Sequence, residues 1–254
     1  MKKHATFWGP TIVCVWLAFG NAARGQSVWQ AALNHMRHRV EAGTRMTAFR
    51  LSDTQSVGAD REAGETFLGN INQLDDVQDY APTKLFLAYF PIPYAGLELT
   101  GDRVEANVRN ANNDFSDGSV CMSGPIITLI GRYPNRSVFT PYAGVGLAMW
   151  NADFKVQSWW RYGYDSPESW EAAGSPEKAA LGVKKRIEVQ NATGIALLAG
   201  SDIRVYENWS VDVMMRSIDI DADAHYYRNK ELRRTGSLPL DHVTYGIGVR
   251  YTFF

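Results

Sequence analysis

The closing stretch of the chain, residues 241–254 with the sequence DHVTYGIGVRYTFF, alternates between two kinds of side chain. One set of alternate positions is entirely apolar or aromatic: Val243, Tyr245, Ile247, Val249, Tyr251 and Phe253. The positions between them are polar or small: His242, Thr244, Gly246, Gly248, Arg250 and Thr252. Successive side chains on a β-strand point to opposite faces, so this stretch is predicted to be a strand with one apolar and one polar face. A strand with lipid outside and a polar lumen inside has this pattern, and the six apolar residues are therefore expected to face lipid.

The beginning of the chain indicates export. Lys2 and Lys3 form a basic opening, and residues 7–20 form a mostly apolar run that is too short to span a bilayer as a helix. Small residues follow and offer cleavage points before Ala23 or before Gln26. This order is that of a secretory signal peptide, so we predict a signal peptide over residues 1–25 and an exported domain over residues 26–254.

No stretch after the signal peptide contains the roughly 18 consecutive apolar residues of a transmembrane helix. If the exported domain crosses a membrane, a closed β-barrel is the remaining way to satisfy its backbone hydrogen bonds in lipid. The mean hydropathy of −0.26 is compatible with a barrel, because only every second strand residue meets lipid. A net charge of −1 argues against a nucleic-acid partner, and no EF-hand, zinc or Walker spacing predicts a cofactor.

Seven further strand-like segments precede the closing strand: residues 40–51, 84–90, 94–108, 125–133, 142–154, 193–205 and 210–218. The long connections between them cover residues 52–80, 109–120, 155–190 and 222–238, and the first is expected to contain a helical turn at 67–74. Short turns are predicted at residues 91–93, 134–140 and 207–209. Long extracellular loops and short periplasmic turns are typical of outer-membrane barrels. Residues 26–254 are therefore predicted to form an all-β, antiparallel, up-and-down transmembrane barrel of about eight strands.

The polar faces of these strands predict the contents of the lumen. They carry acidic and basic residues in similar number: Glu41, Arg45, Glu98, Asp102, Thr128, Arg132, Asp212, Arg216, His242 and Arg250. Buried charges are costly unless they are paired, so we expect a charge network across the barrel. An eight-stranded barrel is just wide enough for side chains or one slim ligand. The network is therefore either a salt-bridged plug or a narrow polar path that opens at times. A conduit for hydrophobic solutes would need an apolar outer end, for which Phe86, Phe90, Trp150 and Leu198 are candidates.

Two groups outside the lumen are candidates for ligand contacts. Asp219, Asp221, Asp223 and His225 share one face of a strand at a spacing of two residues. Such carboxylates could hold Ca²⁺ or bridge to lipopolysaccharide through a divalent ion, and the alternative is a solvated strand extension. The Trp and Tyr residues of 159–170 could contact sugars, lipid headgroups or a hydrophobic solute, or could pack the loop that carries them.

The end of the chain resembles the C-terminal signal of bacterial outer-membrane β-barrels, in which a glycine precedes alternating aromatic residues; Gly248, Tyr251 and Phe253 match it. With the signal peptide and the loop asymmetry, residues from about 38 onward resemble small barrels of the OmpW and OmpA transmembrane-domain type. The resemblance implies a location in the outer membrane of a Gram-negative bacterium, insertion by the barrel-assembly machinery, and contact with membrane lipids and lipopolysaccharide. OmpW-like barrels imply passage of small hydrophobic solutes, whereas a mixed-charge lumen favours the structural role of the OmpA type.

Two other classes of function remain as alternatives. A lipid A- or phospholipid-modifying barrel would need a nucleophile or base, and His242 and His225 are available. The chain has no G-x-S-x-G motif and no local His-x-Ser constellation, so an enzyme is not predicted. A soluble lipocalin-like ligand-binding barrel is the second alternative.

Overall fold

The computed structural model describes residues 39–51, 59–60, 65–66, 71–74, 83–110, 115–134, 136–177 and 182–253. The predicted signal peptide at residues 1–25 and most of the predicted first loop lie outside the described residues. The elements, in chain order, are β1 (Val40–Leu51), β2 (Ala59–Asp60), β3 (Glu65–Thr66), β4 (Ile71–Leu74), β5 (Thr83–Ile92), β6 (Ala95–Asn110), β7 (Ser116–Arg132), β8 (Phe139–Val156), α1 (Ser158–Arg161), α2 (Pro167–Ala172), β9 (Lys185–Val189), β10 (Ala192–Tyr206), β11 (Trp209–Asp219), β12 (Asp221–Arg228), β13 (Glu231–Pro239) and β14 (His242–Thr252).

Eight of the described strands form a closed antiparallel ring. Its order is β1, β5, β6, β7, β8, β10, β11 and β14, and β14 pairs with β1 to close it. In the closing pair, Met46 lies opposite Ile247 and Arg45 lies opposite Gly248. The predicted closed eight-stranded, up-and-down barrel is therefore confirmed.

The strands alternate between an apolar outer face and a varied inner face. On β5, Leu85 and Leu87 are 73% and 52% exposed, whereas the intervening Phe86 and Ala88 are buried. On β14, Tyr245, Ile247 and Val249 are exposed and Val243 and Tyr251 are half-buried, and Phe253 just after the strand is exposed. Every strand of the ring adds exposed apolar residues, among them Met46, Leu97, Leu129, Leu147, Leu197 and Val213. The result is an apolar belt around the outside of the barrel, as a membrane-spanning barrel requires.

The short-turn end of the belt carries a ring of aromatic side chains: Tyr94, Tyr133, Phe139, Tyr206, Trp209 and Tyr251. Trp209 and Tyr251 pack with their ring centroids 4.8 Å apart, and Phe253 meets Tyr251 edge-on at 5.2 Å. Aromatic girdles of this kind mark the membrane–water interface of outer-membrane barrels.

None of the helices in the described part of the chain combines the length and the hydrophobicity needed to cross a membrane.

The end of the barrel away from the aromatic ring contains more regular structure than the sequence predicts. Residues 109–120 were expected to form a loop, but β6 runs to Asn110 and β7 begins at Ser116. The expected loop at 222–238 is the hairpin β12–β13, which joins β9 in a three-stranded sheet. Asn229 and Lys230 at its tip have φ angles of 50° and 73°, the left-handed backbone of a tight two-residue hairpin turn. These predictions were wrong because strands beyond the membrane carry polar outer faces and lack the lipid-facing signal.

One smaller expectation is also corrected. The helical turn predicted at 67–74 is wrong over residues 71–74, because these form the strand β4, whose Leu74 lies opposite Val108 of β6; residues 67–70 lie outside the described residues. The predicted insertion at 155–190 contains the short helices α1 and α2 before β9. α2 begins with a capping box, in which the Ser166 hydroxyl accepts a hydrogen bond from the Ser169 backbone N–H at 3.1 Å.

Candidate functional site in the barrel lumen

A charge network crosses the half of the lumen next to the short turns. It contains five cationic and five carboxylate side chains, so it is formally neutral: Arg45, Lys84, Arg132, Arg216, Arg250, Glu41, Glu98, Asp102, Asp202 and Asp212. Nine of these side chains are buried and Arg132 is largely buried. Each cation of the network meets at least one carboxylate that a different strand supplies.

Arg45 of β1 is at the centre of this network. Its Nη1 and Nη2 donate to Oε1 and Oε2 of Glu98 at 2.6 and 2.8 Å, a bidentate geometry that only a guanidinium provides. Its Nε donates to Asp212, which also accepts a hydrogen bond of 2.6 Å from the Tyr142 hydroxyl. Arg45 therefore links β1, β6 and β11 across the lumen.

Arg250 of β14 makes the second hub, nearer the short turns. Its Nη1 donates to Glu41 at 2.8 Å, and its Nη2 donates to Asp212 at 3.1 Å. Glu41 also accepts two hydrogen bonds from Arg132, at 2.8 and 2.7 Å. Asp202 lies 2.8 Å from Arg250 Nε and 3.2 Å from Arg132 Nη2, so it closes the network against β10.

Phe86 supports both hubs from the wall of the barrel. The guanidinium carbons of Arg45 and Arg250 lie 3.9 and 4.7 Å from the centroid of its ring, within cation–π range. The ring occupies the space over Gly43, where an added Cβ would lie 2.5 Å from a Phe86 ring carbon. Glycine is therefore needed at position 43 for the aromatic ring to reach the arginines.

The half of the lumen next to the long loops is apolar. Its wall consists of buried residues from the upper parts of the ring strands: Phe49, Val104, Ala106, Val108, Val120, Met122, Ile126, Trp150, Phe154, Ile218 and Ile220. The three-stranded sheet extends this cluster upward with Ala222, Ala224, Leu238 and Ile187. The lumen thus changes from charged to apolar along its axis.

His242 lies where the two halves meet. Its Nδ1 lies 2.8 Å from the backbone oxygen of Leu240, its ring stacks on Trp150 with centroids 5.2 Å apart, and Phe49 meets it edge-on at 5.7 Å. The imidazole therefore forms the lower boundary, or floor, of the apolar half.

Comparison with solved structures identifies the architecture. The outer membrane protein OprG from Pseudomonas aeruginosa superposes with a TM-score of 0.59 at 17% identity, over 85% of this chain and 96% of OprG. AlkL, solved in DMPC lipid bilayers, gives a TM-score of 0.57 at 13% identity, over 86% of this chain and 92% of AlkL. The chain has the fold of a bacterial outer-membrane β-barrel. OmpW from E. coli gives a TM-score of 0.49 at 17% identity, over 86% of this chain and 100% of OmpW. No protein-family model and no curated protein sequence matches the chain.

The structure of this outer-membrane barrel brings the predicted lumen residues together. The nine predicted members of the charge network and Thr128 all point inward, and His242 lies above the charges rather than among them. Three participants were not predicted from the sequence: Lys84, Asp202 and Tyr142. Lys84 forms an ion pair with Asp102. Its spacing of two residues from Phe86 and Ala88 on β5 is a signal that could have identified it as an inward-facing residue.

One prediction about the outer end of the lumen is wrong in part. Trp150 lies in the apolar half, as expected. Phe86, Phe90 and Leu198 instead lie at the level of the charges; Arg132 stacks over Phe90 at 3.8 Å, and Leu198 packs in a cluster with Tyr142. Alternation along a strand indicates which face a residue occupies but not its level along the barrel, so the sequence could not place these three side chains beside the charges.

The candidate metal ligands at residues 219–225 are not assembled into a site. Asp219, Asp221 and Asp223 are exposed on the outer face of β11 and β12, and His225 lies 3.5 Å from the Gln190 amide instead of a carboxylate. Within the described ranges, no group of three or more His, Cys, Asp or Glu side chains has the arrangement to hold a metal ion.

The aromatic residues of the long insertion cover the apolar half of the lumen. Trp159 and Trp160 of α1 are buried in its cluster, and Trp170 donates from Nε1 to the Pro176 oxygen at 3.1 Å. The Lys185 ammonium lies 4.9 Å from the centroid of the Trp160 ring, and burial lowers the pKa of Lys185. Packing against the barrel is therefore the observed role of these side chains.

Proposed function

We propose that this outer-membrane barrel is closed to ions and binds small apolar solutes in the outer half of its lumen. The observation that carries the proposal is the division of the lumen into a neutral salt-bridged half and an apolar half. The apolar belt and the aromatic closing strand also favour three partners for the barrel. These are outer-membrane lipids, lipopolysaccharide above the belt, and the barrel-assembly machinery during insertion.

The charge network supports the closed state. Opening a water-filled path would separate ion pairs such as the bidentate Arg45–Glu98 pair and the Arg132–Glu41 pair. Each pair joins two strands, so several would have to break together. An eight-stranded barrel has room inside for little more than its own side chains.

Electrical measurements on the barrel in planar bilayers test the plug. We expect no stable conductance steps from the natural chain. A variant that replaces both Arg45 and Glu98 by alanine keeps the network neutral and removes its central pair, so it is expected to give brief steps. Steady conductance from the natural chain would contradict a plug and favour the polar path.

The apolar half supports a solute that has little hydrogen-bonding capacity. It offers aliphatic and aromatic side chains at Val104, Met122 and Phe154, and small side chains at Ala106 and Ala222. Pockets that bind small molecules are lined mainly in this way.

Binding of a naphthalene-based fluorophore to the barrel in lipid nanodiscs tests this half. We expect saturable fluorescence above that of empty nanodiscs. Replacing Ala106 by phenylalanine should weaken binding about tenfold or more, because the added ring would compete with the solute for the apolar half of the lumen. Ala143→Phe is the matched control on the lipid-facing side, and it should leave binding unchanged. Binding that does not saturate, or that both variants leave unchanged, would leave only a structural role.

No observation favours the alternatives. The contacts of His242 are with Leu240, Phe49 and Trp150, which supply no nucleophile for a lipid-modifying enzyme. The belt of exposed aliphatic side chains does not suit a soluble lipocalin-like barrel.

A further inference from the structure

The floor of the apolar half carries two polar atoms whose chemistry is complementary. The imidazole of His242 and the indole of Trp150 stack with an interplanar angle of 28° and a centroid distance of 5.2 Å. Both side chains are at least 99% buried. Within the part of the chain that the structure describes, His242 Nε2 and Trp150 Nε1 have no hydrogen-bond partner.

The hydrogen-bonding role of each atom follows from its neighbours. The Leu240 carbonyl oxygen accepts hydrogen bonds only, so His242 Nδ1 at 2.8 Å carries the hydrogen and donates it. The ring packs against Phe49 and Trp150, surroundings that favour a neutral imidazole. In the neutral ring, Nε2 is then an acceptor that faces away from Leu240. The indole Nε1–H of Trp150 is a donor only.

We propose that this pair binds the hydroxyl group of a small aliphatic alcohol whose chain lies in the apolar half. The inference rests on the proposed function and names the class of its solute. A hydroxyl group both donates and accepts, so it can donate to His242 Nε2 and accept from Trp150 Nε1–H. An alkane supplies neither interaction, and a carboxylate cannot donate to Nε2.

The surroundings of the pair favour this orientation of the solute. Above the pair lie aliphatic and aromatic side chains, including Val104 and Met122, which suit a hydrocarbon chain. Below it lie Thr244 and the charge network, which close the lumen toward the short turns. Sites with buried groups that require a hydroxyl partner discriminate strongly against analogues that lack it, because the groups are then left unpaired.

The test uses the full barrel in nanodiscs, labelled with ¹⁵N at its tryptophans, and titrates it with 1-octanol, octane and octanoate. The Trp150→Phe variant assigns the indole N–H resonance of Trp150. We expect 1-octanol to shift that resonance saturably and to bind about tenfold or more tightly than octane or octanoate at neutral pH. His242→Phe should remove this preference, whereas His242→Gln should retain most of it because an amide can also accept.

A matched control and the folding state separate the outcomes. Met149→Leu changes the residue next to Trp150 on the lipid-facing side of β8, so it should leave the octanol-to-octane ratio unchanged. Each variant is first checked for the heat-modifiable gel migration of a folded barrel. Equal binding of octanol and octane, with no effect of His242→Phe, would overturn this inference and leave the apolar site intact. Tighter binding of octanoate would also overturn it, and absence of saturable binding by all three probes would overturn the proposed function as well.

Discussion

Replacing Arg45 by methionine is expected to destabilise the barrel by about 3–5 kcal/mol, the cost of leaving buried charges without their partner. Arg45 is 1% exposed and is bound to Glu98 and Asp212, which are both fully buried. Without the guanidinium, both carboxylates lose their main compensating charge while they remain buried. Urea unfolding of the barrel in lipid vesicles, followed by tryptophan fluorescence, measures the change.

Two further variants show whether burial is the cause. Arg186→Met removes a cation from the exposed pair of Arg186 and Glu188, whose atoms are 2.9 Å apart, and should change stability by less than about 0.5 kcal/mol. Adding Glu98→Met to Arg45→Met removes one of the two carboxylates that have lost their main partner, and should recover part of the loss. A change below about 1 kcal/mol for Arg45→Met alone would mean that water reaches the network.

The second large effect is expected on the outer face. Ile247→Arg should destabilise the folded barrel in a bilayer by about 2–4 kcal/mol, the penalty for an arginine at the middle of the hydrocarbon region. Ile247 is 58% exposed and lies between Met46 of β1 and Val213 of β11, both of which also face outward. Refolding titrations in guanidinium chloride with phosphatidylcholine vesicles provide the free energy.

Ile247→Leu is the matched control, because it keeps an aliphatic side chain of the same size at the same depth. It should cost less than about 1.5 kcal/mol. Full tolerance of arginine at position 247 would mean that water or protein, rather than hydrocarbon, surrounds this face. The proposed membrane location would then be lost together with the proposed function.

The barrel itself could be predicted because two environments impose a period of two on its strands. On β14 the exposed Tyr245, Ile247 and Val249 alternate with the buried Thr244 and Arg250, as lipid outside and lumen inside require. The same rule placed the charged residues of the lumen on the inner face. It did not reveal which of them would meet, because the partners of Arg45 lie on strands far apart in sequence.

Beyond the membrane this rule fails, since water on the outer face removes the apolar half of the signal. β12 shows the consequence: Ala222 and Ala224 are buried, but Asp221 and Asp223 on its other face are exposed and polar, as residues of a loop would be. The stacked pair of His242 and Trp150 could not be predicted from the sequence either. Their stacking depends on the register of β8 and β14, which are not neighbours in the ring.

β11 and β14 continue into the hairpin β12–β13, and this hairpin is what a molecule that approaches the cell surface from that side meets first. The eight residues of β12, at about 3.3 Å each, carry this hairpin roughly 25 Å past the end of β11. An antibody or a phage tail fibre arriving from that side would meet a hydrogen-bonded sheet of fixed shape before it reached the lipid. Epitopes there would depend on folding, and short linear peptides copied from residues 221–239 would reproduce them poorly.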